Sequence, residues 1–334
     1  MPVVWTSEPL RGELCKRVGG VAVTSMEEFA EATRDGKTIA FVDQANIDLL
    51  ATLDPELVRG PIVAVCDESL NAAVGWLQYP WISHVLSSAM LEHPMCEQHL
   101  ENVLRSLNGD GQPRLLDWLE PKVTGRRIRL THASKRVERL ERMSEFFEAK
   151  GVGSRSVQLL RDAAEELLTN AFYDAPVAAG ALKPISRTQD VLLPDESACD
   201  LAYGCRQDLA IVRVRDKFGS LSRRRLVEVL GRCSRTDMAV EVDETMGGAG
   251  LGLWRIFSGA SFVAISVLKN RHTEFLVGIA TKRVTSGPRP FAFHLFFKDT
   301  GKRRFWQLAD EESSNPSATV NQSVTILKSD LKSE

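Results

Sequence analysis

Short apolar runs alternate with helix-length amphipathic stretches over the first hundred residues. Val3–Trp5, Val21–Thr24, Thr38–Val42, Ile62–Cys66 and Ser83–Leu86 predict strands. Helical patterns fit between them, one behind Ser25 (SMEEFAEATRDG), another over Glu68–Leu77 and a last one over about Pro94–Leu107. Strands alternating with helices at this spacing predict a parallel sheet covered on both faces. The order is that of a flavodoxin-like α/β unit over residues 1–107.

Gly109, Gly111 and Pro113 then break the pattern, so residues 108–124 read as a linker. A strand follows at Arg126–Leu130, and a helix starts at Ser134 and is stopped by Gly151 or Gly153. In the next helix Val157, Leu160, Leu167, Leu168 and Ala171 recur at helical spacing, with Ser154 or Ser156 as its cap. Residues 175–208 carry Pro176, Pro184 and Pro194 and read as an irregular insertion ending in a hairpin turn at Tyr203–Asp208. Ile211–Asp216 alternates as a strand, Leu221–Leu230 as a helix, Trp254–Phe257 as part of a helix, and Ser261–Val267 and Phe291–Phe297 as strands. The tail from about Asp310 is rich in Ser, Asn and Glu and predicts disorder over 310–334.

Composition narrows the classes. A net charge of −2 gives no basic field for nucleic acid. The six cysteines form no CxxC pair, which suits reduced thiols; Cys199 and Cys205 lie close in sequence but two cysteines make a poor site. The start, MPVVWTSEPLRGE, has no basic segment leading into a long apolar core, and no apolar run reaches the roughly 20 residues that span a bilayer. The expectation is a cytoplasmic protein with no membrane partner.

The chemistry concentrates in three stretches. Glu166 and Asn170 are four apart and so share a helix face, where a carboxylate over a carboxamide can hold a hydrated metal and orient a water. IVRVRD brings Asp216 to a strand end, followed by Gly219. GGAGLGL holds four glycines in the six residues 247–252, a backbone that approaches a ligand closely at the start of a helix suited to an anion. The spacing is wrong for a Rossmann fingerprint, and there is no GxxxxGK[ST].

In this order, ExxxN, then strand–Asp–Gly, then GxGLGL, the chain resembles the GHKL superfamily of histidine-kinase-like ATPases, over about 125–285. The strand, helix, ExxxN-helix entry is similar to its anti-sigma serine kinase branch. No long helical dimerisation element bearing a phosphoacceptor His precedes it, and His132 reads as a loop or cap residue. The resemblance implies a Bergerat-type α/β sandwich over 125–300 that binds ATP and Mg2+. It implies roles for Asp216 and Thr273 at adenine, for Gly219 as a further ATP-binding residue in the run after Asp216, for Gly248, Gly250, Leu251 and Gly252 around the phosphates, for Asn170 as magnesium ligand and for Glu166 as base. Thr273-Glu274-Phe275 resembles the family's GTxF element, with His272 where the family has Gly. Arg223, Arg224, Arg225, Arg232 and Arg235 are candidates either to reach the phosphates or to form a solvated basic turn. Two departures stand out: Phe218 takes the place of a lid glycine, and Tyr173 and Asp174 stand where a basic residue often follows the Asn. ATP binding is therefore better supported than phosphotransfer.

The first 107 residues resemble a response-regulator receiver in pattern. The chain has Thr6-Ser7-Glu8 in place of the acidic pair, Cys66 in place of a Ser or Thr and Ser87-Ser88 in place of a Lys, while Asp43 holds the acceptor position. A phosphoryl group on Asp43 would lack most of its charge compensation, so a capping role for Asp43 and a pseudo-receiver used for docking or homodimerisation are expected. The implied function is signal transduction in a two-component-like setting: phosphorylation of a protein partner or, alternatively, an ATP-gated switch that sequesters one.

Overall fold

The computed structural model describes residues 1–52, 60–109, 113–119, 125–234, 249–281, 288–298 and 325–327. Its centre is an eleven-stranded mixed sheet running through the described chain. Five strands form the first part: β1 (Val3–Trp5), β2 (Val21–Ala22), β3 (Ala40–Asp43), β4 (Ile62–Cys66) and β5 (Ile82–Ser87). They are all parallel, in the order β2-β1-β3-β4-β5. Helices α1 (Leu10–Val18), α5 (Ser88–Leu91) and α6 (Cys96–Asn108) cover one face. On the other lie α2 (Met26–Ala32), α3 (Gln44–Leu50) and α4 (Leu70–Gly75).

Six strands form the second part. They are β6 (Gly125–Leu130), β8 (Cys199–Arg206), β9 (Leu209–Arg215), β10 (Phe262–Leu268), β11 (His272–Ala280) and β12 (Ala292–Lys298), with a short β7 (Asp190–Leu192) outside the sheet. β12 lies parallel to β10 and antiparallel to β5, with Ala292 opposite Leu86, Phe293 opposite Val85 and His294 opposite His84. That seam makes the two halves one sheet.

Helices α7 (Arg136–Ala149), α8 (Ser154–Thr169), α10 (Arg223–Ser234) and α11 (Ala249–Gly259) cover one face of this half. A π-helical turn at Asn170–Asp174 joins α8 to α9 (Ala175–Ala178). The opposite face is covered in part by α6 and by residues expected to be linker: Trp118 and Leu119 are buried, and Trp118 stacks on Phe262 at 4.2 Å between ring centroids.

Several local readings are corrected. α1 was not anticipated, because charged residues and Gly12 blur its apolar stripe. α8 is capped by Gly153 and not by Ser154 or Ser156. The stretch 175–208 is not irregular throughout: it contains α9, β7 and β8, and Tyr203–Arg206 belong to β8, so the turn is Gln207–Asp208. β8 is buried almost throughout, which removes the polar–apolar alternation that marks a half-exposed strand. Thr325–Leu327, within the tail expected to be disordered, pairs antiparallel with β7.

Asp43 is a cap. Its Oδ2 accepts from Ser7 N at 2.7 Å and Ser7 Oγ at 2.8 Å, and its Oδ1 accepts from Asn46 N at 3.2 Å and Asn46 Nδ2 at 2.9 Å. All six cysteines are free thiols, Cys199 and Cys205 included. Among the described residues no helix is long and apolar enough to cross a membrane.

Candidate functional site

A cleft open to solvent lies between the α8–α9 segment, α10, α11 and the ends of β9 and β11. Leu167, Asn170, Ala171, Asp174, Ala175 and Ala178 face it at helical spacing. The π turn begins at Asn170, where the helix widens by one residue, a distortion frequent at functional sites. Asp216, Ser220, Arg225, Thr273 and Phe275 complete the polar and aromatic parts of the wall.

Asp216 closes the end of β9. Its Oδ1 accepts from the backbone N–H groups of Phe218 at 2.8 Å, Gly219 at 3.1 Å and Thr273 at 3.3 Å. Its own N–H donates to Thr273 O at 2.9 Å. The carboxylate is therefore buried but anchored. Burial pushes its pKa above the ordinary aspartate value, and the three N–H groups work against that rise, helped by the Thr273 hydroxyl. No hydrogen bond of good geometry reaches Thr273 Oγ1 from the described residues, and the same is true of Asn170 Oδ1.

The Glu166 carboxylate sits one turn below. Asn170 Nδ2 donates to Glu166 Oε1 at 3.3 Å. Burial raises the Glu166 pKa from the ordinary glutamate value, with Arg187 the largest opposing influence, then the Asn170 bond; Arg255 also opposes it. Gly252 lies against this carboxylate so closely that a Cβ there would fall 2.1 Å from Glu166 Cδ. The obstacle is the far end of a flexible side chain. Gly252→Ala is therefore expected to leave thermal stability within about 1 kcal/mol of wild type, because the carboxylate swings aside. NMR titration of the Glu166 carboxyl is the check: its pKa should move as it leaves its buried place.

The expected site residues are thus partly gathered. Asn170, Asp216 and Thr273 line one cleft, with Glu166 and Gly252 in contact beside it. Gly219 does not line the cleft; it holds Asp216 and makes a left-handed turn at φ +60°. Gly250 and Leu251 lie in the first turn of α11, which starts inside the glycine motif, and Gly250 packs toward Val229 and Cys233 of α10. Gly248 and Arg235 lie outside the described residues. Phe218 is a core residue, 3% exposed.

The arginines divide. Arg225 lines the cleft. Arg224 pairs with Glu228 at 2.9 Å on the exposed side of α10. Arg223 donates to the carbonyls of Leu77 at 3.0 Å, Tyr79 at 3.1 Å and Ile82 at 2.7 Å, clamping α10 to the first half of the chain. It is neither a phosphate ligand nor a solvated residue.

His272 is buried and neutral: burial, Arg215, Lys217 and Arg213 lower its pKa to about 4, and Arg215 Nη2 lies 3.0 Å from its Nδ1. His132 holds the cap position before Ala133–Lys135, with Thr131 Oγ1 3.0 Å from its Nδ1. Among the described residues no group of three or more His, Cys, Asp or Glu side chains is placed to hold a metal ion.

The sequence reading gave no role in the wall to Ser220, named Phe275 only within the Thr273-Glu274-Phe275 stretch, and missed Arg187 on Asp174. Arg187 comes from the 175–208 segment, and no motif marks it.

No family model matches the sequence, and no curated protein matches it. Among solved structures, a likeness is found to a chain in the crystal structure of the SiaB–SiaC complex from Pseudomonas aeruginosa. The identity is 16%, the TM-score 0.34, and the match covers 47% of this chain and 90% of that chain. A likeness at this level decides nothing about the chemistry of the cleft.

Proposed function

We propose that the cleft binds Mg-ATP and that the protein uses the bound nucleotide in signalling to a protein partner, as the GHKL resemblance implies. The observation that carries this reading is the meeting of an anchored buried carboxylate with two orphaned oxygens in one open cleft. Asp216 Oδ1 is committed to three backbone N–H groups, which leaves its second oxygen to accept the exocyclic amine of adenine. Thr273 Oγ1 stands beside it to complete recognition of the ring, and Phe275 and the aliphatic wall bury the ring faces. Asn170 Oδ1 fits a magnesium ion, a hard cation that takes oxygen donors and few protein ligands; bound there, the ion would neutralise phosphate charge. The first-turn N–H groups of α11 lack intrahelical acceptors and suit phosphate oxygens.

Glu166, with a pKa raised by burial, is the residue in this reading that takes the proton of an acceptor hydroxyl on the partner. Two contacts favour the second reading, an ATP-gated switch with little transfer: Asn170 and Gly252 both close on the Glu166 carboxylate and restrict approach to it. In either reading the parallel first half, with Asp43 tied up as a cap, acts as a docking module.

Calorimetric titration with Mg-ATP tests the proposal. Saturable binding is expected in wild type and a loss of at least about tenfold in Asp216→Ala, the worth of one charge-assisted hydrogen bond. Wild type that binds no ATP would overturn the reading. Transfer of labelled phosphate to a partner, abolished in Glu166→Ala, would separate kinase from switch.

A further inference from the structure

Nothing in the sequence puts a cation beside Asn170; Tyr173 and Asp174 follow it instead. The fold brings one to Asp174, on the rim of the cleft, from the 175–208 segment. Arg187 Nη2 donates to Asp174 Oδ2 at 2.9 Å, and Asp174 lines the cleft four residues beyond Asn170. The same guanidinium is the largest influence opposing burial on both Asp174 and Glu166.

Its backbone is held on both sides. Gln189 N donates to Ser186 O at 3.1 Å and closes a turn around Arg187. The Tyr173 hydroxyl donates to Gln189 O at 2.6 Å, while Leu182 is buried in the core upstream. The two residues that displaced the local cation therefore serve to place a distant one: Tyr173 anchors the turn and Asp174 aims the guanidinium. About one third of the Arg187 side chain remains exposed, so it is free to exchange its partner. Arg225, the cleft-lining arginine, also acts on Asp174.

We propose that Arg187 is the specificity determinant of the cleft for a polyphosphate chain, exchanging the Asp174 carboxylate for phosphate oxygens when a triphosphate enters. This rests on the nucleotide reading for its adenine end but not for its phosphate end. Arginine suits the task because its planar fork matches phosphate oxygens in two parallel bonds.

The test uses the full chain, as wild type, Arg187→Ala and Arg187→Lys, with inorganic tripolyphosphate, Mg-ATP and adenosine as separate probes in calorimetry. Melting curves without ligand check that each variant is folded. Expected is a loss of about 10- to 100-fold in affinity for tripolyphosphate and ATP in Arg187→Ala, with adenosine changed less than about twofold and Arg187→Lys in between. Should both phosphate probes bind Arg187→Ala as well as wild type, the proposal is overturned. It is equally overturned if wild type shows no affinity for tripolyphosphate. Loss of tripolyphosphate binding in Arg187→Ala with no adenosine binding in wild type would uphold Arg187 while removing the adenine reading.

Discussion

Gly219→Ala is expected to cost roughly 3–5 kcal/mol of folding stability and to remove ligand binding in the cleft with it. Gly219 sits at φ +60°, where a side chain is strained. The space is also closed: an added Cβ would lie 2.2 Å from Leu268 O and 2.8 Å from the backbone N atoms of Arg271 and His272. These are main-chain atoms of the β10–β11 turn, already tight at Asn270 with φ 59°, so no side-chain rotation relieves the clash. Asn270 N also donates to Gly219 O at 3.2 Å. Either the β10–β11 turn opens or the Asp216–Gly219 turn does. The second outcome strips two of the three N–H donors from Asp216 and leaves a buried carboxylate underbonded. Urea denaturation measures the cost; a shift equivalent to less than about 1 kcal/mol would show that the two turns separate freely.

Steep loss of stability in mild acid is the second large effect expected; buried His272 contributes to it, and three histidines outside the cleft lining contribute more. His84, His99 and His294 are each 1% exposed where β5, β12 and α6 meet. His99 Nε2 and His294 Nε2 lie 3.0 Å apart, so one ring donates to the other, and the accepting nitrogen must be unprotonated. His84 stacks toward His294 with centroids 5.6 Å apart, and neither of its ring nitrogens has a partner among the described residues. Burial and the Arg223 charge lower the His84 pKa to about 3; burial takes the other two well below the ordinary histidine value.

The sign follows from where protons bind. Between pH 6.5 and about 3 the unfolded chain binds protons that the folded chain refuses, so stability falls as pH falls. Each imidazole contributes up to about 1.4 kcal/mol per pH unit in that window. Glu166, Asp174 and Asp216, with pKa values raised by burial, oppose the trend at its acid end, because the folded state holds their protons more tightly. Urea midpoints between pH 7 and 5 should therefore drop sharply, and His84→Phe, placed beside Phe296, should flatten the slope by about one proton. A slope unchanged in that variant would remove His84 from the account. Because this trio lies at the β5–β12 pairing, the two halves should lose their structure together.

Much of the architecture was legible in the residues. The alternation of short strands and helices pointed to an α/β chain, and helical spacing gave α7 and α8 nearly to their ends. Asp43 reads as a cap from its place at a strand end, and it is one. The irregular reading of 175–208 failed because a strand buried on both faces carries no alternation, and within 108–124 the turn residues masked two core side chains, Trp118 and Leu119.

Local sequence was enough to put Glu166 over Asn170 on one helix face and Asp216 at a strand end, since a helix repeat and a strand terminus are properties of a few neighbouring residues. Only the tertiary structure could bring Thr273 to Asp216, pack Gly252 on Glu166, send Arg223 to the carbonyls of the first half and carry Arg187 to Asp174. Those pairs are separated by 13 to 146 residues. Burial and charge compensation act through space, and a charge that is missing from a motif can be restored from anywhere that the chain returns.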